Sequence, residues 1–131
     1  MIAASQQPIR IALYTRCATD RDGALEAQEA SVRTAVAEMP APHVIVRTFR
    51  DVPTSGLPFD RPGIRELLAA AAAREIDMVM VTSHDRLSRS YRDLARLRHV
   101  LAAHGVRITT PDEEREPAIT AIARHVSTLS L

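Results

Sequence analysis

Short apolar runs rich in β-formers alternate with stretches of helical apolar spacing, and this happens four times along the chain. Ile9–Tyr14 reads as a first strand. Thr19 and Asp20 can cap the helix that follows, in which Leu25, Val32, Val36 and Met39 share a face and which Pro40 and Pro42 end. Val44–Phe49 reads as a second strand and Asp51–Asp60, rich in Pro, Ser, Thr and Gly, as a loop. Pro62 suits the first turn of a helix that takes in Ile64–Arg74. Asp77–Thr82 is a third strand, and Ser83–Arg89 a polar loop. Ser90–His104 is helical, with Leu94, Leu97 and Leu101 on one face and Gly105 as its stop. Val106–Thr109 is a fourth strand, Thr110–Pro117 a charged linker, and Ala118–Leu129 a short last helix. Strand and helix in strict alternation imply an α/β fold of three layers, a mainly parallel sheet flanked by helices.

At 131 residues the chain has room for one domain with a full core. The expected division is an N-terminal extension over 1–8, the α/β domain over 9–110, and linker plus helix over 111–131. A single cysteine, Cys17, excludes an internal disulfide and any multi-cysteine zinc site, and points to a reducing cytoplasm. No apolar run is long enough to span a membrane, and Met1–Pro8 does not read as a signal peptide. The net charge of +1 neither demands nor excludes nucleic acid. Aromatics at 3% argue against a base-stacking platform of the single-strand-binding type.

In an open parallel sheet, ligands bind beyond the C-terminal strand ends. Here those ends carry Arg16, Asp51, and the loop with Asp85, Arg86 and Arg89. Arginines beside a carboxylate suit a phosphate or phosphodiester, because guanidinium groups match phosphate oxygens in bidentate fashion and stay charged. All seventeen basic residues are arginine, so solvated loop arginines are the alternative from spacing alone. Other residues point less clearly to chemistry. His84 beside Asp85 is either a base or a surface histidine, and Cys17 either an activated thiolate or a packed thiol. The five histidines show no metal-ligand spacing, and Ser55–Gly56 alone reads as a turn.

Taken together, these segments resemble the catalytic domain of the serine site-specific recombinases, the resolvases and invertases. The family's strand running into Tyr-x-Arg-Val-Ser-Thr is matched by Tyr14-Thr15-Arg16-Cys17-Ala18-Thr19, and its Leu-x-x-Gln by Leu25-Glu26-Ala27-Gln28. An acidic residue, a Ser-Gly loop and Arg-Pro-Gly follow as Asp51, Ser55-Gly56 and Arg61-Pro62-Gly63. Leu-Asp-Arg-Leu-x-Arg appears as His84-Asp85-Arg86-Leu87-Ser88-Arg89. The resemblance implies DNA strand exchange through a 5′-phosphoserine link, by a tetramer, with no metal or nucleotide cofactor. By motif position it gives Arg16, Arg86 and Arg89 the scissile phosphate, and Asp85 the orienting of those arginines. Gln28, Arg61 and Ser55 are auxiliary phosphate or DNA contacts.

The departures are specific. Ala18 stands at the nucleophile position, and a methyl group cannot attack phosphorus. His84 replaces the usual leucine. No helix-turn-helix or zinc ribbon follows residue 110, so DNA contact by this chain alone is expected to be weak. The leading expectation is a recombinase-type domain that keeps its phosphate site and lacks its nucleophile, as a remnant, a serine-to-alanine trap, or the partner of a full-length recombinase in a homo- or hetero-oligomer. Two alternatives stand beside it. One is an active recombinase using Cys17, Thr19 or Ser88; the other is a non-enzymatic assembly module.

Overall fold

A computed structural model describes residues 7–16, 24–51 and 58–115. Four parallel strands form one sheet: β1 (Ile9–Arg16), β2 (His43–Asp51), β3 (Met78–Met80) and β4 (Arg107–Thr109), in the order β2-β1-β3-β4. The connections carry α1 (Ala24–Ala37), α2 (Pro62–Ala72) and α3 (Tyr91–Ala103). The expected three-layer α/β fold is therefore the one observed.

The core divides by strand parity. Ile11, Leu13, Met78 and Met80 face α1 and pack on Val32, Ala35 and Val36. Ala12, Tyr14, Val79 and Val81 face the other way, onto Ile64 and Leu67 of α2 and Leu97 and Leu101 of α3. Both faces of the central strands are covered, which is why they read as continuous apolar runs. Leu94 lies half-buried at the edge of the same cluster.

β2 departs from simple alternation. Its pairing with β1 runs Ile11 to Ile45 and then Ala12 to Arg47, so Val46 is an extra residue, a β-bulge. One inserted residue exchanges the two faces of a strand. Ile45 therefore packs on the α1 side, whereas Phe49 joins Tyr14 on the α2 side. The bulge also brings Asp51, the last residue of β2, to the start of α2.

Several boundaries differ from the sequence reading. Asp51 belongs to β2 and does not open the loop, and Pro58–Asp60 forms a 3-10 turn inside that loop. Strand β3 is shorter than expected at both ends, Met78–Met80. Just before it, the Asp77 carboxylate takes Arg10 Nε and Nη2, each at 3.0 Å, and the Arg10 amide at 2.9 Å. The charged segment expected as a linker contains a one-turn helix, α4 (Pro111–Arg115). Thr110 Oγ1 accepts the Glu113 N–H at 3.3 Å, as an N-cap does, and donates to Glu113 Oε1 at 3.2 Å, with Pro111 in the first turn. The capping by Thr19 and Asp20, and the last helix over 118–129, lie outside the described residues.

Two helices end in the same way. After α3 the Gly105 N–H bonds Ala102 O and the Val106 N–H bonds Leu101 O, with Gly105 at φ +76°, a Schellman motif. After α2, Arg74 takes that position at φ 61° although it has a side chain. Its carbonyl accepts Arg10 Nη1 at 2.7 Å, so the strained residue is fixed by the cluster that holds Asp77.

The Arg10 hydrogen bonds hold the Asp77 carboxyl below the usual aspartate value. The folded chain thus keeps Asp77 ionised after the unfolded chain has taken up its proton. The resulting stability is present above the unfolded value of about 3.9 and is lost as pH falls through the lower folded value. Asp77→Asn is expected to flatten the fall in urea stability across that acidic window. Its cost near pH 7 is expected to be at most about 1 kcal/mol, because the pair is 42% exposed on both sides. An unchanged acid slope in Asp77→Asn would contradict this assignment.

Candidate functional site: an arginine cleft at the sheet's switch point

The strand order reverses between β1 and β3: the chain leaves β1 towards β2 on one side and continues from β3 to β4 on the other. Such a switch point opens a crevice beyond the carboxyl ends of the two strands. In this protein the crevice is a cleft of about 310 Å³ lined by Arg16, Arg61, Asp85, Arg86 and Arg89. Each of these residues was singled out from sequence, and they arrive from three separate segments.

Arg16 ends β1. Gln28, on α1 and 9% exposed, brackets its main chain: the amide oxygen accepts the Arg16 N–H at 3.2 Å and the amide nitrogen donates to Arg16 O at 2.9 Å. Gln28 thus acts on the backbone of Arg16 as if it were a neighbouring strand. Arg86 Nη1 also donates to Arg16 O, at 3.2 Å, which joins the loop after β3 to the end of β1.

Arg61 sits at the N-cap position of α2 and is 6% exposed. Its Nη1 donates to Leu87 O at 2.8 Å, so it crosses to the same loop. The cap itself comes from another residue. Asp51 Oδ1 accepts the Gly63 N–H at 2.8 Å, and its Oδ2 accepts the Ile64 N–H at 3.2 Å and the Tyr14 hydroxyl at 2.6 Å. Asp51 thereby fixes the start of α2, and with it the base of Arg61. Burial first, and then the bond to Asp51, raise the Tyr14 phenol above its ordinary value and keep it a hydrogen-bond donor.

A 3-10 turn, His84–Arg86, presents Asp85 and Arg86. Asp85 is held below the usual aspartate value, first by the Ser83 hydroxyl and then by the charges of Arg86 and Arg89. It is therefore an anion among cations. His84, which faces α3 and α4, takes Arg98 Nη2 at Nδ1 (3.3 Å) and meets Glu113 Oε1 through Nε2 (2.6 Å). A neutral ring with its proton on Nε2 satisfies both contacts. His84 is thus a strut between the site loop and the capped turn of α4, a part its neighbours in sequence do not announce.

The electrostatics of the cleft are unbalanced. Four guanidinium groups face one carboxylate, a formal excess of three positive charges. The buried Nε atoms of Arg16, Arg61 and Arg86 have no hydrogen-bond partner among the described residues. Ser88 is 6% exposed; its Oγ accepts the Ser90 N–H at 3.0 Å, and it lines an adjoining cavity instead of the arginine cleft. Cys17, Ala18, Thr19 and Ser55 lie outside the described residues. Among the described residues no group of three or more potential metal ligands gathers, and no helix is long and apolar enough to cross a membrane.

Comparison with known proteins agrees with this fold. The family model described as the resolvase N-terminal domain matches residues 11–129. The chain therefore belongs to the resolvase N-terminal domain family. Its fold is similar to the C-terminal catalytic domain of ISC1926 TnpA, an IS607-like serine recombinase, at 25% identity and a TM-score of 0.67, covering 92% of this chain and 80% of that one. It is also similar to a serine recombinase from Sulfolobus solfataricus, at 26% identity and a TM-score of 0.63, over 93% and 81% of the two chains. The N-terminal catalytic domain of TP901-1 integrase shares the fold at 23% identity and a TM-score of 0.68, over 93% and 99%. No curated protein matches the chain.

Proposed function

We propose that the arginine cleft binds a phosphodiester of DNA at the position of the scissile phosphate, and that Ala18 leaves the chain able to hold that phosphate without cleaving it. The observation that carries this reading is the convergence of Arg16, Arg61, Arg86 and Arg89 on one cleft, beside the single carboxylate of Asp85. A phosphodiester offers two non-bridging oxygens that share one negative charge, and guanidinium forks take them in pairs. Asp85 orients the arginines, and Gln28 and Arg61 hold the two walls in register.

The chemistry follows from what the cleft supplies and what it lacks. In a serine recombinase, the serine oxygen bonds to phosphorus as the bond to the 3′ oxygen breaks, which leaves a 5′-phosphoserine and a free 3′-hydroxyl. Arginines aimed at the phosphoryl oxygens stabilise the charge that develops on them. Alanine at position 18 has no oxygen to form that bond. The chain then acts as a phosphate-binding member of an oligomer, and a catalytically complete recombinase is the partner that gives such a member a role.

Binding to a fluorescently labelled duplex at low salt tests the phosphate site. Nonspecific affinity is expected in the range of roughly 10⁻⁴–10⁻⁶ M at physiological salt and tighter below it. Arg86→Ala is expected to weaken it about tenfold and to lower the salt slope by about one. An Arg86→Ala protein with native affinity and native salt slope would show that the arginines serve another purpose.

A further inference from the structure

A second cavity, of about 300 Å³, adjoins the arginine cleft and shares Asp85 and Arg89 with it. Its other walls are of a different character. Leu94 supplies an apolar floor, Ser88 and Ser90 supply hydroxyls, and Tyr91 stands at the rim. Both serine oxygens accept backbone N–H groups, Ser88 from Ser90 and Ser90 from Asp93, and neither hydroxyl is engaged as a donor among the described residues.

Tyr91 is the anomaly. The chain has four aromatic residues. Tyr14 and Phe49 are fully buried, and Phe59 is half-buried beneath Arg96, whose guanidinium lies 5.2 Å from its ring centre. Tyr91 is 91% exposed. No side-chain packing accounts for a bare ring at the first position of a helix, where a small or acidic residue would serve. The exposed ring, the apolar floor and the free donors lie one step from a site for a phosphodiester.

We propose that this cavity is a nucleoside subsite, in which Tyr91 stacks on the base of the nucleotide adjoining the phosphate held by the arginines. The proposal rests on the phosphodiester reading, since the shared Arg89 and Asp85 make the two sites continuous. Its volume is at the lower end of the small-molecule range and suits one nucleoside, not a run of bases. A single ring also fits the aromatic-poor composition, which argues against a platform but not against one stack. The Ser88 and Ser90 hydroxyls would donate to acceptors on the base or sugar.

The test compares two labelled probes bound to the full chain: a short single-stranded oligodeoxynucleotide and an abasic tetrahydrofuran-phosphate strand of the same length. The native protein is expected to prefer the base-bearing strand. Tyr91→Ala is expected to weaken that strand about tenfold and leave the abasic strand unchanged, while Tyr91→Phe keeps native affinity for both. The ring is in solvent, so neither substitution threatens the fold. Equal loss on both probes, or loss on neither, overturns the nucleoside subsite. So does a Tyr91→Ala protein of native affinity that has lost self-association in sedimentation, which would assign the ring to a protein contact. The phosphate reading is judged separately: it fails if Arg86→Ala leaves abasic binding at the native level, whatever Tyr91 does.

Discussion

Gly63→Ala is expected to lower the stability of this domain by about 4 kcal/mol. A Cβ at residue 63 would stand 2.7 Å from Arg50 O, 2.7 Å from Asp51 Oδ2 and 2.9 Å from Asp51 Cγ. The first of these is backbone inside a paired strand and cannot swing away. The other two belong to a 3% exposed carboxylate that holds the Tyr14 hydroxyl and two N–H groups of α2. Overpacking alone costs about 1–3 kcal/mol. Displacing Asp51 adds the loss of hydrogen bonds to a charged group, at about 1.5–3 kcal/mol for each, not fully additive. Against a total of roughly 5–15 kcal/mol for a domain, that is a large share. Urea unfolding followed by circular dichroism would show a midpoint lower by about 2 M for a slope near 2 kcal/mol per M. Gly105→Ala is the useful contrast. Its Cβ would meet nothing closer than Arg74 Nη1 at 3.8 Å, so only its positive φ is charged, at about 1–2 kcal/mol. A Gly63→Ala protein within about 1 kcal/mol of native would mean that Asp51 does not hold α2 as described.

The parts of this account that were legible in sequence are those that local spacing records. Burial on both faces of β1 and β3 writes a continuous apolar run, and burial on one face of α3 writes Leu94, Leu97 and Leu101 at helical intervals. The order of elements and the parallel sheet follow from those. The arginines were legible for another reason: the topology puts strand ends at one edge, so Arg16 and the Asp85–Arg89 loop converge whatever the side chains do. What escaped was long-range. Nothing near Val46 signals that one extra residue turns Phe49 and Asp51 to the other face, because either register leaves apolar residues at alternate positions. The bonds from Asp51 to Tyr14 and to Gly63 span 37 and 12 residues, and Arg61 reaches Leu87 across 26. The turn at Pro111–Arg115 had a local signal after all. Thr110 followed three residues later by Glu113, with Pro111 between, has the capping-box sequence pattern, and it was masked by the charge of its neighbours.

Ala18→Ser is expected to turn a binding site into a cleaving one. If the cleft is intact, the only missing part is an oxygen placed in line with the phosphate. Removing a nucleophilic serine from an enzyme of another class lowers turnover by about 10⁶, so restoring one is expected to raise covalent attachment at least about 10⁴-fold over the native chain. The gain should depend on the arginines: Arg86→Ala in the Ala18→Ser background is expected to remove about 10²–10³ of it, the usual worth of one group that stabilises developing charge. The substrate should be a nicked duplex at high concentration, with the chain supplied alone and beside a full-length serine recombinase. The decisive measurement is the covalent protein–DNA adduct on a denaturing gel, native against Ala18→Ser. The account predicts an adduct with Ala18→Ser, none with the native chain, and its loss when Arg86→Ala is added. An adduct formed by the native chain would contradict it, since another residue would then be the nucleophile, and so would an Ala18→Ser protein that binds DNA yet forms no adduct under any of these conditions.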